Sequence, residues 1–138
     1  MINEAKKEHP NYDFRTLDMT DLDKIGTKFD MVFFIASFHH IESFAQRINI
    51  LNMLGNILAP GWIVYMTNWN LMWEYNFKKY EKAYRWDHDF DIKIGWFSRY
   101  YHSFTLDELE GLFKETNFDI IENRIFEWDN NLISIVQK

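Results

Sequence analysis

Cysteine is absent from the 138 residues, proline occurs twice and glycine five times. Without a thiol there is neither a disulfide framework nor a thiolate zinc site. The five glycines form no GxGxxG-like cluster, so the loop that lets backbone approach a nucleotide is not in the sequence. Nowhere does an uninterrupted apolar stretch reach the length that spans a bilayer. The start, Met1-Ile2-Asn3-Glu4-Ala5-Lys6-Lys7-Glu8, is charged and helix-forming, unlike the apolar run of a signal peptide. The expectation is a soluble, cytoplasmic protein with no membrane partner. Positive charge is also short: 15 Lys and Arg stand against 21 Asp and Glu, a net charge of −6. That balance argues against broad, non-specific attraction to nucleic acid and leaves room for a local basic patch.

Apolar residues, by contrast, make up 47% of the chain, enough for a packed core and too many for a disordered tail. The length is that of one domain, residues 1 to 138. Seven Tyr and six Trp exceed what a core of this size needs. They either line a groove or a subunit interface, or fill an aromatic-rich core.

Hydrophobic periodicity gives an outline. Residues 1 to 9 read as the end of a helix stopped near Pro10 and Asn11. Tyr12, Phe14 and Thr16 alternate with Asp13, Arg15 and Leu17 as a short strand, followed by an acidic loop from Asp18 to Asp23. The run Met31-Val32-Phe33-Phe34-Ile35 reads as a strand buried on both faces, with helices above and below a parallel sheet. Ile48, Leu51, Leu54 and Leu58 recur at helical spacing from Ser43 on, and Ala59-Pro60-Gly61 ends that helix. Ile63 to Thr67 is a second buried strand, completing a βαβ unit. Residues 71 to 86 read as a helix on which Lys78, Lys82 and Arg85 form a basic stripe, either an RNA contact or a wet face. Thr105 and Glu108 form a capping box for a helix over 105 to 116. Residues 119 to 126 and 132 to 136 read as a terminal hairpin around Asp129-Asn130-Asn131, so the sheet ends antiparallel.

Phe29-Asp30, the apolar run after them and His39-His40-Ile41 resemble the fourth-strand motif of class I S-adenosylmethionine-dependent methyltransferases. Leu58-Ala59-Pro60-Gly61-Trp62 is similar to the LKPGG turn of that family, with Trp in place of the second glycine. Leu17-Asp18-Met19-Thr20-Asp21-Leu22 is similar to its third-strand motif. Trp69, Glu74-Tyr75-Asn76, Arg99-Tyr100-Tyr101-His102-Ser103-Phe104, Glu108 to Gly111 and Trp128 to Asn131 look like the tRNA wobble-uridine methyltransferases, which esterify a carboxymethyl-uridine. The resemblance implies an α/β, truncated Rossmann-like fold, mostly parallel and ending in an antiparallel hairpin. It implies S-adenosylmethionine as cofactor, tRNA as a partner and carboxylate O-methylation as the reaction. The strand, Gly-rich loop and acid-tipped strand that precede this region in the family are not in the sequence.

On the cofactor side the candidates are Asp18 and Met19, near the adenine, and Ala36 and Ser37 at a strand's carboxyl end. For Asp18 an Asx turn is the competing account, and for Ala36 and Ser37 the start of a turn. For substrate they are Arg99, Tyr100 and His102, with Trp69 and Asn70. Arg offers a planar fork for carboxylate or phosphate, and Tyr a face for a base; a strand-to-helix junction is the alternative. His39 and His40 are adjacent and face no single site, so backbone-bonded histidines at a helix entry are expected, not a metal site. No acid–base residue is assigned, because a carboxylate acceptor is ionised near neutral pH.

In the family's sheet the third and fourth strands flank the two that are missing here. With strands ~4.8 Å apart, the loss leaves a gap of about 14 Å. Either residues 12 to 17 move over to pair with residues 31 to 35, or another chain covers the edge, as a homodimer or a partner subunit. Beside an active enzyme stand a catalytically inactive binding or activator subunit and a truncated reading frame.

Overall fold

The computed structural model describes residues 2–128 and 130–138. Its chain runs through α1 (Ile2–Glu8), β1 (Phe29–Ile35), α2 (Phe44–Ile57), β2 (Leu58–Asn68), α3 (Glu74–Tyr80), β3 (Asp89–Ile94), β4 (Phe97–His102), α4 (Leu106–Glu115), β5 (Asp119–Ile125) and β6 (Leu132–Gln137). Strands β1 and β2 pair in parallel, from Met31 opposite Ile63 to Ile35 opposite Thr67. Strand β6 then runs antiparallel to β2, and β5 antiparallel to β6, in the order β1-β2-β6-β5. The fold is thus the truncated, Rossmann-like α/β fold expected, ending in the expected antiparallel hairpin, and among the described residues only the β1–β2 pairing is parallel. Of the expected hairpin turn, Asp129 lies outside the described residues.

Local chemistry fixes the helices. Ser43 Oγ accepts the Gln46 N–H at 3.5 Å at the start of α2. Ile50, Leu51, Leu54 and Ile57 fall on one buried stripe. Thr105 and Glu108 cap α4 reciprocally, at 2.7 and 3.1 Å. Leu109, Leu112 and Phe113 complete the core with Phe34, Val64, Met66 and Val136. Fully burying each such side chain contributes about 1.5–3 kcal/mol.

Four expectations are corrected. Strand β1 is buried on one face only: Phe34 is buried, while Met31, Phe33 and Ile35 are 41%, 60% and 59% exposed. Helices α2 and α4 both serve the Phe34 side, so the layer expected on the opposite side is missing among the described residues. Residues 12 to 17 form no strand and do not pair with β1; Asp13 and Arg15 join each other in solvent instead. Without a neighbour to complete its ladder, a lone short strand has no stability of its own. The helix over 71 to 86 shortens to α3 and a following 3-10 turn, because Tyr84 leaves to bridge Phe90. That break divides the basic stripe, and Arg85 turns to Glu42 at 3.4 Å and Asp91 at 3.6 Å.

Strands β3 and β4 form a separate two-stranded sheet that the sequence outline lacked. Ile94 pairs with Phe97 around a two-residue turn, with Gly95 at φ +63° in its first position. This hairpin carries the Arg99 to His102 stretch.

Candidate functional site

Parallel strands deliver their carboxyl ends to the same rim, where open α/β sheets bind ligands. Here β1 and β2 bring Ala36 and Ser37 next to Asn68 and Trp69. The Ala36 N–H donates to the Thr67 carbonyl at 3.1 Å and to its hydroxyl at 3.0 Å. Those bonds hold Ala36 in the left-handed region, φ +47°, which costs an alanine on the order of 1–2 kcal/mol. Strain of this kind is found where a fold must turn sharply at a site. Ser37 follows as the entry to a short 3-10 turn over Phe38–His40 and makes no capping bond with its side chain.

In that turn Phe38 goes into the core and His39 beneath an aromatic stack. The His39 ring lies 5.3 Å from Tyr101 and 5.7 Å from Trp69, and the last two stack at 5.3 Å with planes 18° apart. Nδ1 of His39 accepts the Trp69 N–H at 3.1 Å, so the neutral ring carries its proton on Nε2. Burial, with the charges of His40, Arg99 and His102 adding to it, lowers the His39 pKa to about 3. Nε2 has no hydrogen-bond partner among the described residues, nor has either side-chain polar atom of fully buried Asn68. Buried polar groups are rarely left so. His40 meets the backbone as expected, with Nδ1 2.9 Å from the Tyr100 carbonyl.

Alternation along β4 sorts the substrate candidates into two groups. Tyr101 faces His39 and Trp69, and Arg99 is exposed on the same side of the strand, its charge opposing the upward push that burial gives the Tyr101 hydroxyl. Tyr100 and His102 face the other way. The Tyr100 hydroxyl donates to Asp89 at 2.6 Å and accepts from Arg47 at 3.2 Å. His102 lies 2.6 Å from Asp89 through Nδ1 and 3.0 Å from Glu108 through Nε2. For Glu108, burial works upward, but bonds from His102 and Thr105 outweigh it and hold the carboxyl at about 2. Tyr100 and His102 thereby tie the hairpin to α2 and α4.

The segment after β2 is held as firmly. Ser103 Oγ accepts the N–H groups of Leu71 at 2.8 Å and Met72 at 3.1 Å. Asn70 takes the Trp73 N–H on Oδ1 and the Asn76 amide on its carbonyl, and its own N–H reaches Asn131 at 3.3 Å. Beside it opens a cleft of about 530 Å³, walled by Trp69, Trp73, Tyr75, Tyr80 and Trp128, with Lys79 at its edge. Flat faces and one cation suit a planar ligand bearing negative charge.

Asp18 and Met19 belong to a different element. Asp18 caps a 3-10 turn, accepting the Thr20 N–H at 2.9 Å and hydroxyl at 2.6 Å, and these bonds lower its pKa. Met19 packs against the core beside them. His39, Asn68 and the cleft residues Trp73, Tyr80 and Lys79 were not among the site candidates read from the sequence. Asn68 carried a signal, a polar residue closing an apolar strand in Thr67-Asn68-Trp69-Asn70.

Residues 2–123 match a family described as a methyltransferase domain. No curated protein sequence matches the chain. Among solved structures, an S-adenosylmethionine-dependent methyltransferase from Methanosarcina mazei is 18% identical with a TM-score of 0.76, over 99% of this chain and 76% of its own. An amino pentose methyltransferase from Micromonospora echinaspora, solved with S-adenosylmethionine bound, is 15% identical with a TM-score of 0.64, over 97% and 68%. The N-methyltransferase NodS from Bradyrhizobium japonicum, in complex with S-adenosyl-L-homocysteine, is 10% identical with a TM-score of 0.62, over 99% and 61%.

Proposed function

The chain belongs to the methyltransferase-domain family, and from that premise we propose that it binds S-adenosylmethionine at the carboxyl ends of β1 and β2 and methylates a carboxylate on a tRNA wobble uridine. The observation that carries this reading is the rim itself: buried, unpartnered Asn68 and His39 Nε2 next to strained Ala36, one residue from the Trp69 wall of an aromatic cleft.

The residues present fit one side of the cofactor. Small Ala36 and Ser37 allow close approach, and Asn68 supplies an unused donor and acceptor for the polar methionine end. Asp18 is the chain's candidate for the adenine, and the glycine-rich loop of the family has no counterpart in these residues. When bound, S-adenosylmethionine supplies a methyl group already activated on sulfur. What remains for the protein is alignment and exclusion of water, since the acceptor carboxylate needs no general base. The cleft aromatics stack the base, and Lys79 and Arg99 draw in the anionic acceptor. Tyr100 and His102, engaged with Asp89, Arg47 and Glu108, act as positioning residues for the hairpin.

Calorimetric titration with S-adenosylmethionine and with its homocysteine product tests the cofactor half; no heat at millimolar ligand ends it. Mass analysis of tRNA after incubation tests the substrate half. A catalytically inactive binding subunit is the second reading, favoured by the open edge of β1 among the described residues. Anticodon stem-loop binding without cofactor affinity is the pattern it requires.

A further inference from the structure

We propose that a second, smaller cavity behind the cleft receives the base next to the acceptor nucleotide and selects uracil there, a subsite that rests on tRNA as the substrate. Residues alternate along the segment after β2. Trp69, Leu71 and Trp73 face the aromatic cleft, whereas Asn70 and Met72 line a cavity of about 220 Å³ on the other side. Asn131 and Leu132 divide in the same way. The two cavities therefore lie back to back across one stretch of backbone. A single strand that crosses it can leave one base on each side, since RNA-binding sites commonly take bases that are splayed out of their stack.

The wall of the smaller cavity has hydrogens left to give. Ser103 is 1% exposed, and its oxygen accepts the Leu71 and Met72 N–H groups, which fills both lone pairs. Its own hydroxyl hydrogen reaches no acceptor among the described residues. Asn70 is in a similar position. Its Oδ1 takes the Trp73 N–H at 3.1 Å, and its side-chain amide hydrogens have no acceptor among the described residues. A buried donor is rarely left so. His88 forms a third part of the wall, at φ +66° directly after Asp87 at φ +50°. Two left-handed residues in succession, neither a glycine, persist only where the surroundings hold them. Here the Ser103 N–H donates to the His88 carbonyl at 2.8 Å, and the Asp89 N–H to the Trp86 carbonyl at 2.9 Å.

Size and charge narrow the ligand. Buried Phe104 and Leu132 supply apolar surface, and half-exposed Met72 stands at the mouth. An apolar cavity of about 150 Å³ holds benzene, so this one has room for a six-membered ring with its exocyclic oxygens. Asp87 and Asp89 flank His88 in the chain. A free carboxylate or phosphate meets like charge there, and a neutral base does not. Unspent donors on the wall call for acceptors on that base. Uracil offers two carbonyl oxygens, whereas cytosine carries an amine in place of one of them and would set donor against donor.

Fluorescence anisotropy of labelled anticodon stem-loops reads this subsite. The set carries uracil, cytosine or an abasic residue at each position flanking the wobble uridine. Uracil at one flank should bind roughly tenfold more tightly than cytosine or the abasic residue there. Asn70→Asp keeps an oxygen for the Trp73 N–H but puts an acceptor where the amide donor was. It should reverse the order and favour cytosine at that flank. Met72→Trp fills the cavity from its mouth, and this variant should bind all the stem-loops alike. Equal affinity for uracil and cytosine at both flanks, in a protein that does bind the stem-loop, would overturn the subsite and leave the tRNA substrate standing. A uniform loss in Asn70→Asp with the order kept would make Asn70 structural and overturn it as well, as would an unchanged preference in Met72→Trp. No stem-loop binding at all would overturn the tRNA substrate and the subsite together.

Discussion

The Trp69 N–H donates to Nδ1 of His39 at 3.1 Å, and this one bond sets the tautomer of an imidazole with 1% of its surface exposed. The ring must be neutral to accept that bond, and burial lowers its pKa from 6.5 to about 3. In the unfolded chain the same ring takes a proton near its ordinary value. Between these limits the unfolded state binds more protons, so stability falls as pH drops from 6.5 toward 3 and is fully present above 6.5. At about 1.4 kcal/mol per unit, the ceiling is on the order of 4–5 kcal/mol. Urea midpoints measured across the window should fall for the wild type. His39→Asn keeps an acceptor for the Trp69 N–H but cannot titrate, and its curve should be flatter; a parallel decline would refute the assignment.

Ser103 is expected to matter more than its size. Its hydroxyl oxygen serves both the Leu71 and Met72 N–H groups, and Leu71 is buried. Ser103→Ala strands these donors, at a cost of about 1–3 kcal/mol. The checks are a lower denaturant midpoint and faster hydrogen exchange at residues 71 and 72. Unchanged exchange there would mean the hydroxyl does not hold the segment.

Glu108 gives a second acid-sensitive site with a different window. Its folded pKa of about 2 lies below the ordinary 4.5, so it stabilises above 4.5 and loses that contribution as pH falls toward 2. Glu108→Gln retains an acceptor for the Thr105 N–H and removes the charge beside His102. Thermal melting followed downward from pH 4.5 should show a shallower decline in the variant. A decline identical to wild type would place the acid sensitivity elsewhere.

Where the sequence was readable, a helix declared its buried face or its start: the Ile48-Leu51-Leu54 spacing marked α2, and Thr105 with Glu108 marked α4. Strand β1 was readable as a strand but not for its surroundings. Met31 to Ile35 is a continuous apolar run, and such a run does not reveal that helices attend one side only. Strands β3 and β4 were legible in principle from the alternation of Phe90, Ile92 and Ile94 ahead of Gly95. The Arg99 to His102 stretch was read as one unit, a substrate contact or a strand-to-helix junction, although strand alternation sends its members to opposite sides. Nor does any local pattern say that His39 and Tyr101, 62 positions apart, will stack.

The cleft makes a quantitative demand on Trp69. A base stacked on an aromatic side chain is worth about 1–3 kcal/mol. Trp69→Ala should therefore weaken binding of an anticodon stem-loop roughly tenfold or more, measured by fluorescence anisotropy. Trp96→Ala, at the exposed hairpin tip away from the cleft, should leave it unchanged. Equal losses would point to non-specific aromatic contact and away from a built pocket.

Ala36 tests whether the strained turn at the end of β1 belongs to the site or only to the fold. Glycine adopts φ +47° without steric penalty but loses more backbone entropy on folding, so Ala36→Gly should change stability by less than about 1 kcal/mol. A β-branched side chain tolerates that region poorly, and Ala36→Val should cost about 2 kcal/mol or more by chemical denaturation. If the strand end receives the methionine part of the cofactor, added bulk also obstructs it. In that case Ala36→Val, still folded at low temperature, should lose S-adenosylmethionine affinity by tenfold or more while Ala36→Gly keeps it. Equal affinity in both variants, by calorimetry, would remove Ala36 from the cofactor wall and leave the turn a purely structural device.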